Sequence, residues 1–137
     1  MKSIQKIIVL SMLLIIPFTV VLSKGNSTVV VNYVFKHINK GYDHLSKTKV
    51  FVDGEVYAVS TEKKQSQKNS VKLKIPKGYH DVRIVNYAQY EGNWEEHTVE
   101  NNYSYDCVYE LNQEFKKGKY TVNLVFDLDK GVDAKVK

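Results

Sequence analysis

Between residues 28 and 128 the dominant pattern is an apolar side chain at every second position, broken roughly every ten residues by turn-forming residues. A period of two sends successive side chains to opposite faces, so it builds strands with one buried face rather than helices. In residues 28–36, TVVVNYVFK, the side chains of Val29, Val31, Tyr33 and Phe35 share a face. Residues 48–52, TKVFV, run into Asp53-Gly54, a pair suited to the left-handed positions of a tight hairpin turn, and EVYAVS is the return strand. SVKLKI alternates Val71, Leu73 and Ile75 with Lys72 and Lys74, then stops at Pro76-Lys77-Gly78. YHDVRIVNYAQY, residues 79–90, reads as a long strand that Glu91-Gly92-Asn93 breaks before WEEHTVE. YSYDCVYEL follows Asn101-Asn102, and KYTVNLVFDL, with Tyr120, Val122, Leu124, Phe126 and Leu128 on one face, follows Lys116-Lys117-Gly118. Residues 60–70, STEKKQSQKNS, contain no apolar side chain and are expected to form an exposed loop. Residues 129–137 read as a tail or a short edge.

Strands joined this closely leave no room for crossover helices and favour antiparallel meanders and Greek-key links. The expectation is an all-β, immunoglobulin-like antiparallel β-sandwich of about seven to eight strands. Ahead of it, MKSIQK supplies two lysines and residues 7–22, IIVLSMLLIIPFTVVL, an uncharged run too short to span a bilayer comfortably. Residues 1–23 therefore read as a signal peptide cut between Ser23 and Lys24, the alternative being an uncleaved anchor, and residues 24–137 as a single domain. The expected location is extracytoplasmic, whether periplasmic, cell-surface or secreted, with membrane contact only through an uncleaved leader. Loss of Lys2 and Lys6 leaves 18 basic residues against 15 acids, and a surplus of +3 spread along the chain is no footprint for nucleic acid. The single cysteine, Cys107, cannot form an intramolecular disulfide and reads as a buried thiol, so the domain must rely on packing.

The chemistry-bearing side chains are sparse. His37, His44, His80 and His97 show no metal-ligand spacing, and no metal or other cofactor is expected. Glu95 and Glu96 are adjacent, so on a strand they face opposite ways and cannot act as paired acid and base. No catalytic residue is assigned; a small hydrolase or metal-dependent enzyme would need one cleft that gathers at least two of His37, His80, His97 and Cys107. A richer signal is aromatic. Tyr87, Tyr90, Trp94, Tyr103, Tyr105 and Tyr109 interleave with Asn86, Gln89, Asn93, Asn101 and Asn102, which combines flat apolar faces with amides that hydrogen-bond. Tyr90, Trp94 and Tyr103 flank turns and are the candidate ligand-binding residues, for a glycan or a protein partner of the envelope.

Val50, Val52, Asp53 and Gly54, followed by Pro76, Gly78, His80, Val82 and Ile84, resemble the PEGA-domain pattern of bacterial envelope proteins: a strand ending in Val-x-Val-Asp-Gly, a partner strand, and an apolar strand closed by a proline turn. The resemblance covers residues 50–85; the Pro-Glu-Gly-Ala tetrapeptide itself is missing and the intervening loop is longer and richer in lysine. It implies an extracytoplasmic, non-catalytic sandwich that acts as a binding or structural module.

Overall fold

The structure, a computed structural model, describes residues 26–137; the expected leader, residues 1–23, and its cut lie outside the described residues. Ten strands follow in order: β1 (Ser27–Lys36), β2 (Leu45–Val52), β3 (Glu55–Val59), β4 (Lys63–Lys64), β5 (Asn69–Ile75), β6 (Gly78–Tyr90), β7 (Asn93–Glu96), β8 (Val108–Phe115), β9 (Gly118–Asp127) and β10 (Gly131–Val136). A short 3-10 turn, Val99–Asn101, separates β7 from β8. The chain is an all-β sandwich of two sheets. One has the order β10-β9-β1-β5, and the other is built on β6, with β2 along one edge and β7 and β8 along the other. β3 and β4 pair with the far edge of β2. Every pairing is antiparallel except that of β1 with β9. Among the described residues no helix is long and apolar enough to cross a membrane.

The alternation of side chains sets the registers. Val29, Val31 and Tyr33 of β1 lie opposite Tyr120, Val122 and Leu124 of β9 on one side, and Val29 and Val31 lie opposite Leu73 and Val71 of β5 on the other. Their inner faces meet Val50, Val52, Val82, Ile84 and Phe115 of the second sheet in one core, in which Ile84 and Phe126 are fully buried. Each such side chain contributes about 1.5–3 kcal/mol by leaving water, which replaces the cross-links that a lone cysteine cannot provide. Cys107 is itself 1% exposed, and burial pushes its thiol up out of the reactive range. Two hairpins turn on consecutive left-handed residues, Asp53-Gly54 (φ 51° and 84°) and Glu91-Gly92 (φ 49° and 81°), the backbone a two-residue turn needs to match strand twist.

Three segments depart from the alternation. The expected strand 103–111 begins only at Val108, because Asp106 accepts a bond from the Val99 amide (2.8 Å) and the Tyr105 hydroxyl reaches the Asp129 carbonyl (2.8 Å), which holds residues 102–107 as a loop. The tail forms a full edge strand, β10, on β9. The apolar-free segment 60–70 carries β4, and within it Gln65 is 1% exposed. Its burial comes from polar anchors: the Gln65 amide donates to the His44 carbonyl (3.0 Å), and Asp43 accepts from both the amide (2.9 Å) and the hydroxyl (2.6 Å) of Ser66.

Candidate functional site

The inward row of β6 changes character along its length. Val82 and Ile84 face the apolar core, but the next inward positions are Asn86 and Ala88, and the residues opposite them on β2 are Thr48 and Ser46. Beyond this polar end of the sandwich lies a cleft of about 510 Å³. Its floor holds Gln65 and His97, its wall Tyr103, Glu95 and His44, and its rim Tyr42 and Tyr90. Asn101, Asn102 and Ser104 from the loop after the 3-10 turn, together with Asn39 and Leu128, complete it.

The side chains of this cleft contact one another. Tyr103 lies over His97 with ring centroids 4.1 Å apart, and its hydroxyl donates to Glu95 Oε1 at 2.8 Å. His44 sits among three tyrosines, with ring centroids 6.3 Å from Tyr42, 6.2 Å from Tyr90 and 6.0 Å from Tyr103, and its Nδ1 donates to the Gln89 carbonyl (3.2 Å). His97 is 2% exposed. Burial, with His44 as a lesser cause, pushes its pKa down to about 4, so the ring is neutral at physiological pH. Gln65 Nε2 lies 3.0 Å from His97 Nδ1; an amide nitrogen can only donate, so Nδ1 accepts and the ring proton sits on Nε2. Burial raises the Tyr103 phenol, and the bond to Glu95 adds to this, so that hydroxyl keeps its proton. Among the described residues Gln65 Oε1 and Asn86 Oδ1 are buried without a hydrogen-bond partner, and of the two residues Gln65 lines the cleft. An unmet buried oxygen costs about 1–3 kcal/mol.

The three aromatic candidates separate. Tyr90 and Tyr103 both line the cleft, whereas Trp94 does not. The hairpin pairs Tyr90 with Asn93 and Gln89 with Trp94, so Trp94 takes the outer face of the sheet, where the Lys47 ammonium stands 4.2 Å from its ring centre. Lys49 stands over Tyr87 on the same face (4.5 Å). The histidines disperse as well. His80 lies at the far end of β6, its Nδ1 on Asp53 Oδ2 (2.6 Å) and its Nε2 on the Pro76 carbonyl (2.9 Å). His37 pairs with Asp127 (2.7 Å) beside Asp129, the one grouping of metal-type ligands among the described residues, and Asp127 also accepts from the Asp129 amide. Of His37, His80, His97 and Cys107, only His97 lines the cleft; the Cys107 backbone amide donates to the His97 carbonyl (2.8 Å).

Gln65, His44 and Glu95 were not candidates in the sequence. Gln65 sits in a segment with no apolar signal, and its place arises from its own bond to His44 and that of its neighbour Ser66 to Asp43, more than twenty residues earlier in the chain. Glu95 was legible in part, because the adjacent pair Glu95-Glu96 has to split across the sheet: Glu95 faces inward opposite Ala88 and Glu96 outward opposite Tyr87. No protein-family model and no curated protein matches this chain.

Proposed function

We propose that the chain is an exported, non-catalytic β-sandwich that acts as a binding module at the cell envelope, with a glycan seated in the cleft. The observation that carries this reading is Gln65, a buried amide whose oxygen has no partner among the described residues, placed on the floor of a cleft walled by tyrosine and asparagine side chains. Tyrosine rings offer flat apolar faces to a pyranose and the amides offer hydrogen bonds to its hydroxyls. The basic leader and apolar run support export, and the PEGA-like residues 50–85 support an envelope setting. The neutral His97 and the protonated Tyr103 and Cys107 support binding rather than covalent chemistry, since none of them is an activated nucleophile.

Retention of the purified chain on immobilised envelope polysaccharides tests the reading. Tyr103→Ala is expected to weaken retention about tenfold or more by removing the stacked wall. Trp94→Ala, a natural choice on sequence grounds, lies outside the cleft and is expected to leave retention intact. A chain that binds no polysaccharide, or that loses binding with Trp94 but not with Tyr103, would overturn the assignment of the cleft.

A further inference from the structure

The charge pattern of the cleft narrows the kind of sugar. The sequence has 20 lysines and arginines against 15 acids, yet among the described residues no lysine or arginine lines the cleft. Its one carboxylate is that of Glu95, whose Oε1 accepts from the Tyr103 hydroxyl. The buried Oε1 of Gln65 is an acceptor in want of a donor. Tyrosine ring faces carry the negative lobe of an aromatic quadrupole and attract cations, and Tyr42, Tyr90 and Tyr103 all contribute rings here. A basic protein has thus built a cleft rich in acceptors and free of fixed cations.

Resting on the glycan reading above, we infer that the ligand is an amino sugar with a free primary amine, its ammonium group donating to Glu95 and Gln65 while the pyranose ring lies against Tyr103. An acidic sugar meets the Glu95 carboxylate with no compensating cation. An N-acetylated sugar offers one amide N–H where an ammonium offers three, and it carries no charge for the carboxylate or the ring faces to attract. A neutral hexose can satisfy Gln65 but leaves Glu95 with an ordinary hydroxyl.

Calorimetric titration of the purified chain with a trimer of glucosamine, the N-acetylated trimer, a uronic acid trimer and ethanolamine separates these cases. The glucosamine trimer is expected to bind about tenfold tighter than the N-acetylated trimer, the difference between a charge-assisted hydrogen bond and a neutral one. Glu95→Gln, which keeps an acceptor for Tyr103, is expected to erase that preference. Tyr103→Phe, which leaves the carboxylate in place, is expected to keep it. Equal affinity for the glucosamine and N-acetylated trimers overturns the ammonium inference and leaves the glycan reading standing. Failure of every sugar to bind overturns the glycan reading itself. Ethanolamine binding as tightly as the glucosamine trimer upholds the ammonium chemistry and removes the sugar ring from it.

Discussion

A histidine stands at each end of the inward row of β6, and the two ends treat the imidazole in opposite ways. At the Gly78 end, both ring nitrogens of His80 find acceptors, Asp53 and the Pro76 carbonyl, and the hydrogen bond to Asp53 raises the pKa of the ring against the pull of burial. At the Tyr90 end, His97 receives a bond from Gln65, faces no carboxylate partner of its own, and is driven neutral by burial. The first end closes its polar groups on each other, while the second leaves a buried amide oxygen without a partner among the described residues, on a side chain that lines a cleft. The difference is what separates a turn that holds strands together from a site that can take a ligand: satisfied polar groups stabilise the fold, and unsatisfied ones are free energy available to a guest.

If the two ends belong to one cooperative body, removing the apolar middle that joins them should unfold both. Ile84→Ala is expected to cost about 2–5 kcal/mol in urea denaturation, with one transition reported by probes at either end. Two separable transitions would break the comparison, since the ends would then be independent units.

The next effect sharpens it. His97 has a folded pKa near 4 against an ordinary value of 6.5, so between those pH values the unfolded chain binds a proton that the folded chain refuses, and stability falls as pH drops. The expected loss is about 3 kcal/mol from pH 6.5 to 4, and His97→Gln should remove it. His80 has the opposite sign. Its raised pKa gives a contribution that is complete below 6.5 and lost as pH rises through the folded value, while Asp53, lowered chiefly by its bond to His80, contributes above the ordinary aspartate value and loses that as pH falls through its own. His80→Gln should therefore destabilise most at mildly acidic pH and keep the His97 slope. An acid slope that survives His97→Gln would show that burial at the cleft end is not what the slope reports.

The smallest effect concerns the outer face, which belongs to neither end. Trp94→Ala is expected to change stability by about 0.5–1 kcal/mol, the scale of an exposed cation–π contact with Lys47. A larger loss would mean that the outer sheet face contributes to the core more than its exposure implies.

Much of the Gly78 end was readable from the chain. Val50-x-Val52-Asp53-Gly54 is strand and turn in consecutive residues, and Val71, Leu73 and Ile75 alternate cleanly with lysines, because local backbone preference and burial agree there. The Tyr90 end was readable only in pieces. Tyr103 and Tyr105 alternate with Cys107 as a strand would, but their hydroxyls are bound to Glu95 and Asp129, so side-chain bonding overrides the period. Gln65 carried no signal, since what buries it is the geometry of Asp43, His44 and Ser66 and not hydrophobicity. The separation of Trp94 from Tyr90 was implicit in the two-residue turn at Glu91-Gly92, whose register sends Trp94 to the opposite face.

The parallel pairing of β1 with β9 gives the molecule a direction. Both strands run from the Gly78 end toward the cleft, Ser27 beside Gly118 and Lys36 beside Asp127, and β10 then returns, with Val136 opposite Val122. The start of β1 and the end of β10 thus lie toward one pole, and the cleft lies at the other, about 30 Å along a ten-residue strand. A tag joined after Lys137 is therefore expected to leave the cleft accessible, because Lys137 pairs with Thr121, toward the opposite pole of the sheet.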